Sequence, residues 1–469
     1  MGWLSLAPPL LAIVLAIATR QVYLSLFAGI WLGCTLLAGG NPIVGLADGL
    51  DACVAVFEDA GNTKVVLFSA LVGALIALGQ ASGGVEGFVV WVTRGGLVNS
   101  ARRARLLSWT LGVLIFVESS ITALVNGGVC RPIFDRFKIP REKLAYLCDA
   151  TSAPICLLIP LNAWGAYVVQ LLAAEGVDDP VATLVSSLAY SFYPMAALAL
   201  SLYIAWSGRD FGPMLVAERR ARETGQVLRP GAEPMVGKEV TALGPLPNAR
   251  REARDFVIPV VVMVLMMPIG LYITGDGSLA DGSGSTSVFW AVLAATSTAA
   301  LMMLGRGQAS LRELTDVAFT GIGGLVPLAV LMVLAFAIGH VARDLETGRF
   351  VAQLAQNRIP TACLPVVTFG LGCFIAFSTG TSWGTFALMI PIAVPLAEAL
   401  PEANVALYVG AALSGGVFGD HCSPISDTSV ISSMASGSDH IDHVMTQLPY
   451  AVAAGAVAIV AYLLVGIVG

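Results

Sequence analysis

Gly419-Asp420-His421-Cys422-Ser423-Pro424-Ile425-Ser426-Asp427-Thr428 sets two carboxylates, an imidazole and three hydroxyls inside an otherwise oily stretch. An aspartate at mid-membrane costs about 3 kcal/mol on the insertion scale, so it is seldom there without a partner or a purpose. Glycine and proline at such points break a helix and free carbonyls that must find partners. A small cation is a natural partner, because hydroxyls, carbonyls and a carboxylate are hard oxygen ligands.

The rest of the chain supplies the membrane. Of 469 residues, 57% are hydrophobic and 12% charged, and mean hydropathy is +0.82. A soluble domain carries about twice that charge, and lipid is the solvent that accepts the surplus apolar surface. The net charge of -6 includes neither a basic nucleic-acid footprint nor a long acidic tail. The eight cysteines include no CxxC pair and read as small lipid- or core-facing residues. The first apolar stretch, with no basic residue ahead of it, reads as a retained helix. Runs of spanning length fall at 3–19, 22–38, 64–80, 181–206, 256–273, 288–304, 316–340 and 446–468. Two apolar but interrupted segments, 106–174 and 360–435, lie between them.

The chain divides into a first half, 1–206, a hydrophilic segment, 207–255, and a second half, 256–469. The central segment holds nine Lys/Arg and seven Asp/Glu. The halves resemble each other. Leu78-Gly79-Gln80 matches Ile338-Gly339-His340, and Glu86 matches Glu346. Further on, Glu118-Ser119-Ser120-Ile121-Thr122 matches Ser378-Thr379-Gly380-Thr381-Ser382. Thr151-Ser152-Ala153-Pro154 through Asn162 matches Ser414 through Ser426. The offset holds at about 260 residues with little drift over roughly 80 positions, which marks a repeat.

Charge tests its sense. If each interrupted segment is a re-entrant hairpin followed by a broken spanning helix, each half crosses about five times, an odd number, and the repeats are inverted. All Lys/Arg except Lys64, Arg343, Arg349 and Arg358 then share one face. That face is cytoplasmic by the positive-inside rule, with the central loop. The expected fold is an all-α polytopic protein of the bacterial inner membrane with two inverted-topology repeats, re-entrant hairpins, broken helices and about 10 spans. Stretches 84–98 and 343–358 read as interfacial helices.

The candidate site gathers four polar clusters. The first half contributes Glu118, Ser119 and Thr122 with Asn126, then Asp149, Thr151 and Ser152 with Asn162. The second contributes Ser378, Thr379, Thr381 and Ser382, then Asp420, His421, Ser423, Ser426, Asp427 and Thr428. A membrane hydroxyl ordinarily bonds back to its own helix; an acid, a helix breaker and a repeat partner together suggest more. A buried carboxylate binds either a sodium ion or a proton, and that exclusivity couples two fluxes. His421 is a second titrating group. Two other motifs weigh less. Gly380-Thr381-Ser382-Trp383-Gly384 fits GxSxG, but in an apolar hairpin rather than the strand-turn-helix a hydrolase needs. Asp439-His440-Ile441-Asp442-His443 reads as a solvated cytoplasmic turn, not a metal cluster.

The segment Gly419 through Ser429, running on to Ile431-Ser432-Ser433, resembles the signature of the NhaC family of sodium/proton antiporters. Ser152-Ala153-Pro154 through Pro160-Leu161-Asn162-Ala163-Trp164-Gly165 is similar to that family's repeat partner. The resemblance implies the wider ion-transporter superfamily, with an elevator-like substrate domain. It places sodium near Ser378, Thr379, Asp420, Ser423 and Asp427, and frames a second half-site with the first-half residues. It implies sodium and protons as transported species with no cofactor, no catalysis, and homodimers by analogy. Relatives include exchangers of organic acids and carriers of amino acids. A sodium- or proton-coupled carrier of such a solute is therefore the alternative to sodium/proton exchange.

Overall fold

The computed structural model describes residues 2–19, 21–94, 98–116, 119–160, 162–234, 244–279, 282–346, 360–398, 400 and 404–468. Among them the chain is helical apart from turns and one antiparallel bridge between Pro234 and Asp439. The first half runs α1 (Ala7–Thr19), α2 (Val22–Leu37), α3 (Pro42–Ala55), α4 (Ala60–Ala81), α5 (Gly84–Arg94), α6 (Ala101–Leu114), α7 (Ser119–Arg136), α8 (Arg141–Ala150), α9 (Ala153–Leu158), α10 (Ala163–Ala174), α11 (Pro180–Leu188) and α12 (Phe192–Ser207). Then come α13 (Gly212–Thr224), α14 (Arg254–Thr274), α15 (Gly284–Gly305), α16 (Leu311–Asp344), α17 (Leu364–Thr379), α18 (Ser382–Glu398), α19 (Val405–Cys422), α20 (Asp427–Ser436) and α21 (His440–Val468).

Apolar length sets the spans. Six described helices are long and apolar enough to cross a bilayer: Ala60–Ala81, Arg254–Thr274, Gly284–Gly305, Leu311–Ala342, Thr361–Thr379 and His440–Ile467. A 22-residue helix such as α4 is about 33 Å long, the thickness of the hydrocarbon layer. The run 181–206, expected as a single span, is a bent pair. The run 22–38 forms α2, which makes a second bent pair with the helix after it; these bring the number among the described residues to eight at most. Tyr23–Leu37 turns by 120° into Pro42–Glu58, and Pro180–Leu188 by 43° into Phe192–Thr224. The first bend is written locally. Asn41 caps the amides of Ile43 and Val44, and Pro42 starts the new helix.

The helices assemble into two bodies that each draw on both halves of the chain. One holds α1–α5 and α14–α16, with α4 against α16 and α15. The other holds α6–α13 and α17–α21, with α17 against α19 and α7 against α20. They meet where α10 touches α15, α7 touches α4 and α5, and α20 touches α16. Gln80 lines an apolar crevice at that junction with Gly79, Leu124 and Asp255. Of the two interfacial stretches, α5 covers most of 84–98. The stretch 343–358 lies outside the described residues from 347 onward, beyond the end of α16.

The central segment 207–255 is docked where it is described. Its first part grips the second body. Fully buried Lys143 on α8 lies 2.7 Å from Asp210 and 2.5 Å from Glu218, Arg220 forks onto Glu142, and Arg229 pairs with Asp442 at 2.8 Å. Its last part grips the first body. Leu246 N–H donates to the Ala81 carbonyl, Arg251 pairs with Glu86, and Asp255 with Arg306. Hydrogen bonding to Asp442 pushes the Arg229 guanidinium further above its ordinary range.

Candidate ion-binding site

Two chain breaks interlock at the centre of the second body. The first is the α17–α18 tip, where Gly380 caps α17 at a φ of +68°. A Cβ there would stand 2.4 Å from the Ile425 carbonyl oxygen, so the left-handed turn and the close approach both require glycine. The second is Ser423-Pro424-Ile425-Ser426 between α19 and α20. Asp427 N–H donates to the Gly380 carbonyl at 3.2 Å, and Ser423 Oγ to the Phe377 carbonyl at 2.8 Å. Ser426 caps α20 by accepting from Ser429 N–H.

Asp420 stands at this junction, fully buried. Its Oδ1 accepts from Ser426 Oγ at 2.5 Å, and its Oδ2 from Ser382 Oγ at 2.6 Å and Thr428 Oγ1 at 3.4 Å. At the hairpin tip, Ser378 Oγ and Thr381 Oγ1 are buried without a hydrogen-bond partner. An unmet buried hydroxyl costs about 1–3 kcal/mol, so two together mark a place for something else to bind. Thr379 differs, its hydroxyl donating back to the Ile375 carbonyl at 2.9 Å.

The first-half residues are used otherwise. Thr122 bonds to the Ile115 carbonyl, Thr151 to Leu147 at 2.6 Å and Ser152 to Asp149 at 2.9 Å, all backbone acceptors. Asn162 donates to the carbonyls of Phe116, Cys156 and Ile159 and accepts from the amides of Trp164 and Gly165. That full set clamps the α6–α7 tip and leaves little for an ion. Ser119 is buried there, and Glu118 lies outside the described residues. Asn162 to Phe116 and Ser423 to Phe377 are side-chain bonds to a hairpin-tip carbonyl, both spanning 46 residues.

Asp149 departs from that pattern, because it crosses to the other half's helices. Its Oδ2 accepts from Ser429 Oγ at 2.7 Å and Gln447 Nε2 at 2.6 Å. His421 Nε2 lies 3.9 Å from Oδ1 and His443 Nε2 3.9 Å from Oδ2. The Asp439–His443 turn, expected in solvent, is buried. Asp439 accepts from Glu233 N–H, so the docked central segment covers it. Sequence reasoning passed over Ser429, His443 and Gln447. The i, i+4 spacing of His443 and Gln447, one face of a helix beside a polar run, was the available signal.

The oxygen-only surroundings of Asp420 suit an alkali cation better than a soft metal. Among the described residues, no group of three or more His, Cys, Asp or Glu could hold a metal ion. Ser382, in the GxSxG motif, spends its hydroxyl on Asp420 and the Gly416 carbonyl.

Apolar helices, broken pairs and a buried polar centre describe a multi-pass membrane protein. A profile of the Na+/H+ antiporter family matches residues 155–467. An uncharacterized protein of Haemophilus influenzae is 33% identical over 98% of this chain and 90% of its own length. The chain belongs to the Na+/H+ antiporter family, of the NhaC type. Two shorter matches point the same way. An uncharacterized Na+/H+ antiporter of H. influenzae is 40% identical over 18% of this chain and 19% of that protein. The malate-2H+/Na+-lactate antiporter of Bacillus subtilis is 38% identical over 20% and 19%. Among solved structures, Neisseria gonorrhoeae MtrF aligns with 14% identity and a TM-score of 0.39, over 90% of this chain and 84% of that one.

Proposed function

We propose that this protein exchanges sodium for protons across the bacterial inner membrane by alternating access, with Asp420 as the carboxylate at which the two cations compete. The observation that carries the reading is the buried Asp420 carboxylate ringed by Ser382, Ser426 and Thr428, beside the unpartnered hydroxyls of Ser378 and Thr381. Sodium takes oxygen donors from the hairpin tip, the 423–426 break and the Asp420 carboxylate. A proton on Asp420 removes the charge that holds the ion. Each cation thereby displaces the other, which couples the fluxes without a direct contact between them.

The repeats at 1–206 and 256–469 are taken as inverted, supported by the single-faced distribution of Lys and Arg that an odd number of crossings per half gives. The ion-paired segment 207–255 is taken as cytoplasmic, supported by its many Lys and Arg. About ten spans plus hairpins and a homodimer complete the proposal.

Proteoliposomes carrying an internal pH dye test it. Addition of sodium should move protons outward from the sodium-receiving compartment in the wild type and not in Asp420→Asn. No proton movement at any pH would end the reading. A coupled carrier of a small organic acid is the second reading, favoured by the local similarity to the malate/lactate antiporter. Sodium-dependent thermal stabilisation by lactate, malate or an amino acid, where sodium alone stabilises nothing, would select it.

A further inference from the structure

We infer that Asp149, together with His443, forms a second proton-exchanging site, separate from the Asp420 site and linked to it through the first turn of α20. The inference rests on the antiport reading above and adds to it a carrier for a second proton.

The geometry is that of a site rather than a stray buried acid. Asp149 and His443 are both fully buried, on α8 and α21, one from each half of the chain. Asp149 Oδ1 is buried without a hydrogen-bond partner, with His421 Nε2 of α19 3.9 Å away. An isolated buried acceptor is costly, and a proton on Oδ1 turns that unmet acceptor into a donor on the side that faces the His421 ring. The His421 ring is held to face Asp149 by its other nitrogen, which bonds the Tyr193 hydroxyl at 2.8 Å.

His443 meets acceptors at both ring nitrogens. Nδ1 lies 2.8 Å from Ser433 Oγ and 3.1 Å from the Ser429 carbonyl, and Nε2 3.0 Å from Gln447 Oε1. Gln447 is oriented unambiguously, because its amide nitrogen serves two acceptors, Asp149 Oδ2 and the His421 carbonyl. A ring with acceptors on both sides accommodates a proton on either nitrogen or on both. Other titratable groups face Asp149 from the helices around it. These are Cys422 of α19 with Asp420 behind it, His440 of α21, Tyr193 of α12 and Cys148 on α8 itself. Lys143, two turns away on α8, is committed to Asp210 and Glu218.

The link is short. Ser426 Oγ donates to Asp420 and accepts the Ser429 amide at 3.1 Å, and Ser429 Oγ donates to Asp149. A shift of this one turn, as sodium enters or leaves Asp420, alters the donor that Asp149 receives and hence its hold on a proton. The step balances: the Asp149 carboxylate takes one proton from water to become the acid on one side, and returns it to water on the other.

The test is the number of protons exchanged per sodium ion. It is read in proteoliposomes, at a clamped voltage, from the pH gradient that nulls sodium-driven proton flux. The expected ratio is about two in the wild type, falling to about one in Asp149→Asn while sodium still stabilises the purified variant. A wild-type ratio of one overturns the inference, as does an unchanged ratio in a transporting Asp149→Asn. If Asp149→Asn no longer binds sodium, His443→Gln decides, with a fall to one in support and an unchanged ratio against. Absence of any sodium-driven proton movement in the wild type would instead strike the antiport reading itself.

Discussion

Asp420 has three hydroxyls turned toward its two oxygens, and the neighbouring hydroxyls of Ser378 and Thr381 are left over. Asn at 420 keeps the shape but not the charge. Asp420→Asn should therefore insert and fold while sodium-dependent proton movement in the dye assay is lost; wild-type exchange would show that the ion binds elsewhere. Ser382 touches the carboxylate and faces the tip, and a hydrogen bond to a charged group is worth about 1.5–3 kcal/mol. Ser382→Ala should raise the sodium concentration for half-maximal exchange by about tenfold or more, and an unchanged value would reduce Ser382 to packing. The run 419–428 was legible because carboxylates and helix breakers interrupt an apolar stretch at a cost. Gln447 and Ser429 were not, because their bonds to Asp149 join residues 298 and 280 positions apart. The start of the 439–443 run looked solvated because what covers Asp439 and Asp442 is a distant segment, Arg229 to Glu233.

At the scale of elements, the hairpin tip and the broken helix hold each other through backbone. Gly380→Ala adds a Cβ against the Ile425 carbonyl in a left-handed turn, and such strain costs on the order of 1–3 kcal/mol. The variant should melt lower in a thermal scan and bind sodium more weakly; wild-type behaviour in both would mean that the tip does not dock on the break. Lys143→Ala strips the cation from buried Asp210 and Glu218, and loss of one partner from a buried ion cluster costs about 3–5 kcal/mol. A melting temperature within a degree of wild type would show the cluster to be solvated. The breaks themselves were readable from Gly and Pro. The 120° bend at Asn41-Pro42 was also written in a cap and a proline, just past the end of the apolar run 22–38.

For the molecule as a whole, the repeat offset and the apolar composition announced a polytopic membrane protein with two related halves. They did not announce that the two bodies interleave the halves, since helix partners separated by hundreds of residues leave no trace in periodicity. The interleaving is what brings Asp149 of the first half beside Ser429 and Gln447 of the second. The proposed function places sodium at the join of α17–α18 with α19–α20, and on that reading it should stabilise the folded protein by mass action. The gain is about 2.7 kcal/mol at a hundred times the dissociation constant. The most direct test is a sodium-binding isotherm of the purified protein at several pH values. Competition at Asp420 predicts that acid moves the isotherm to higher sodium, by up to about tenfold per pH unit for each proton displaced, and that binding vanishes in Asp420→Asn. A sodium affinity indifferent to pH, or one that survives intact in Asp420→Asn, would contradict the account.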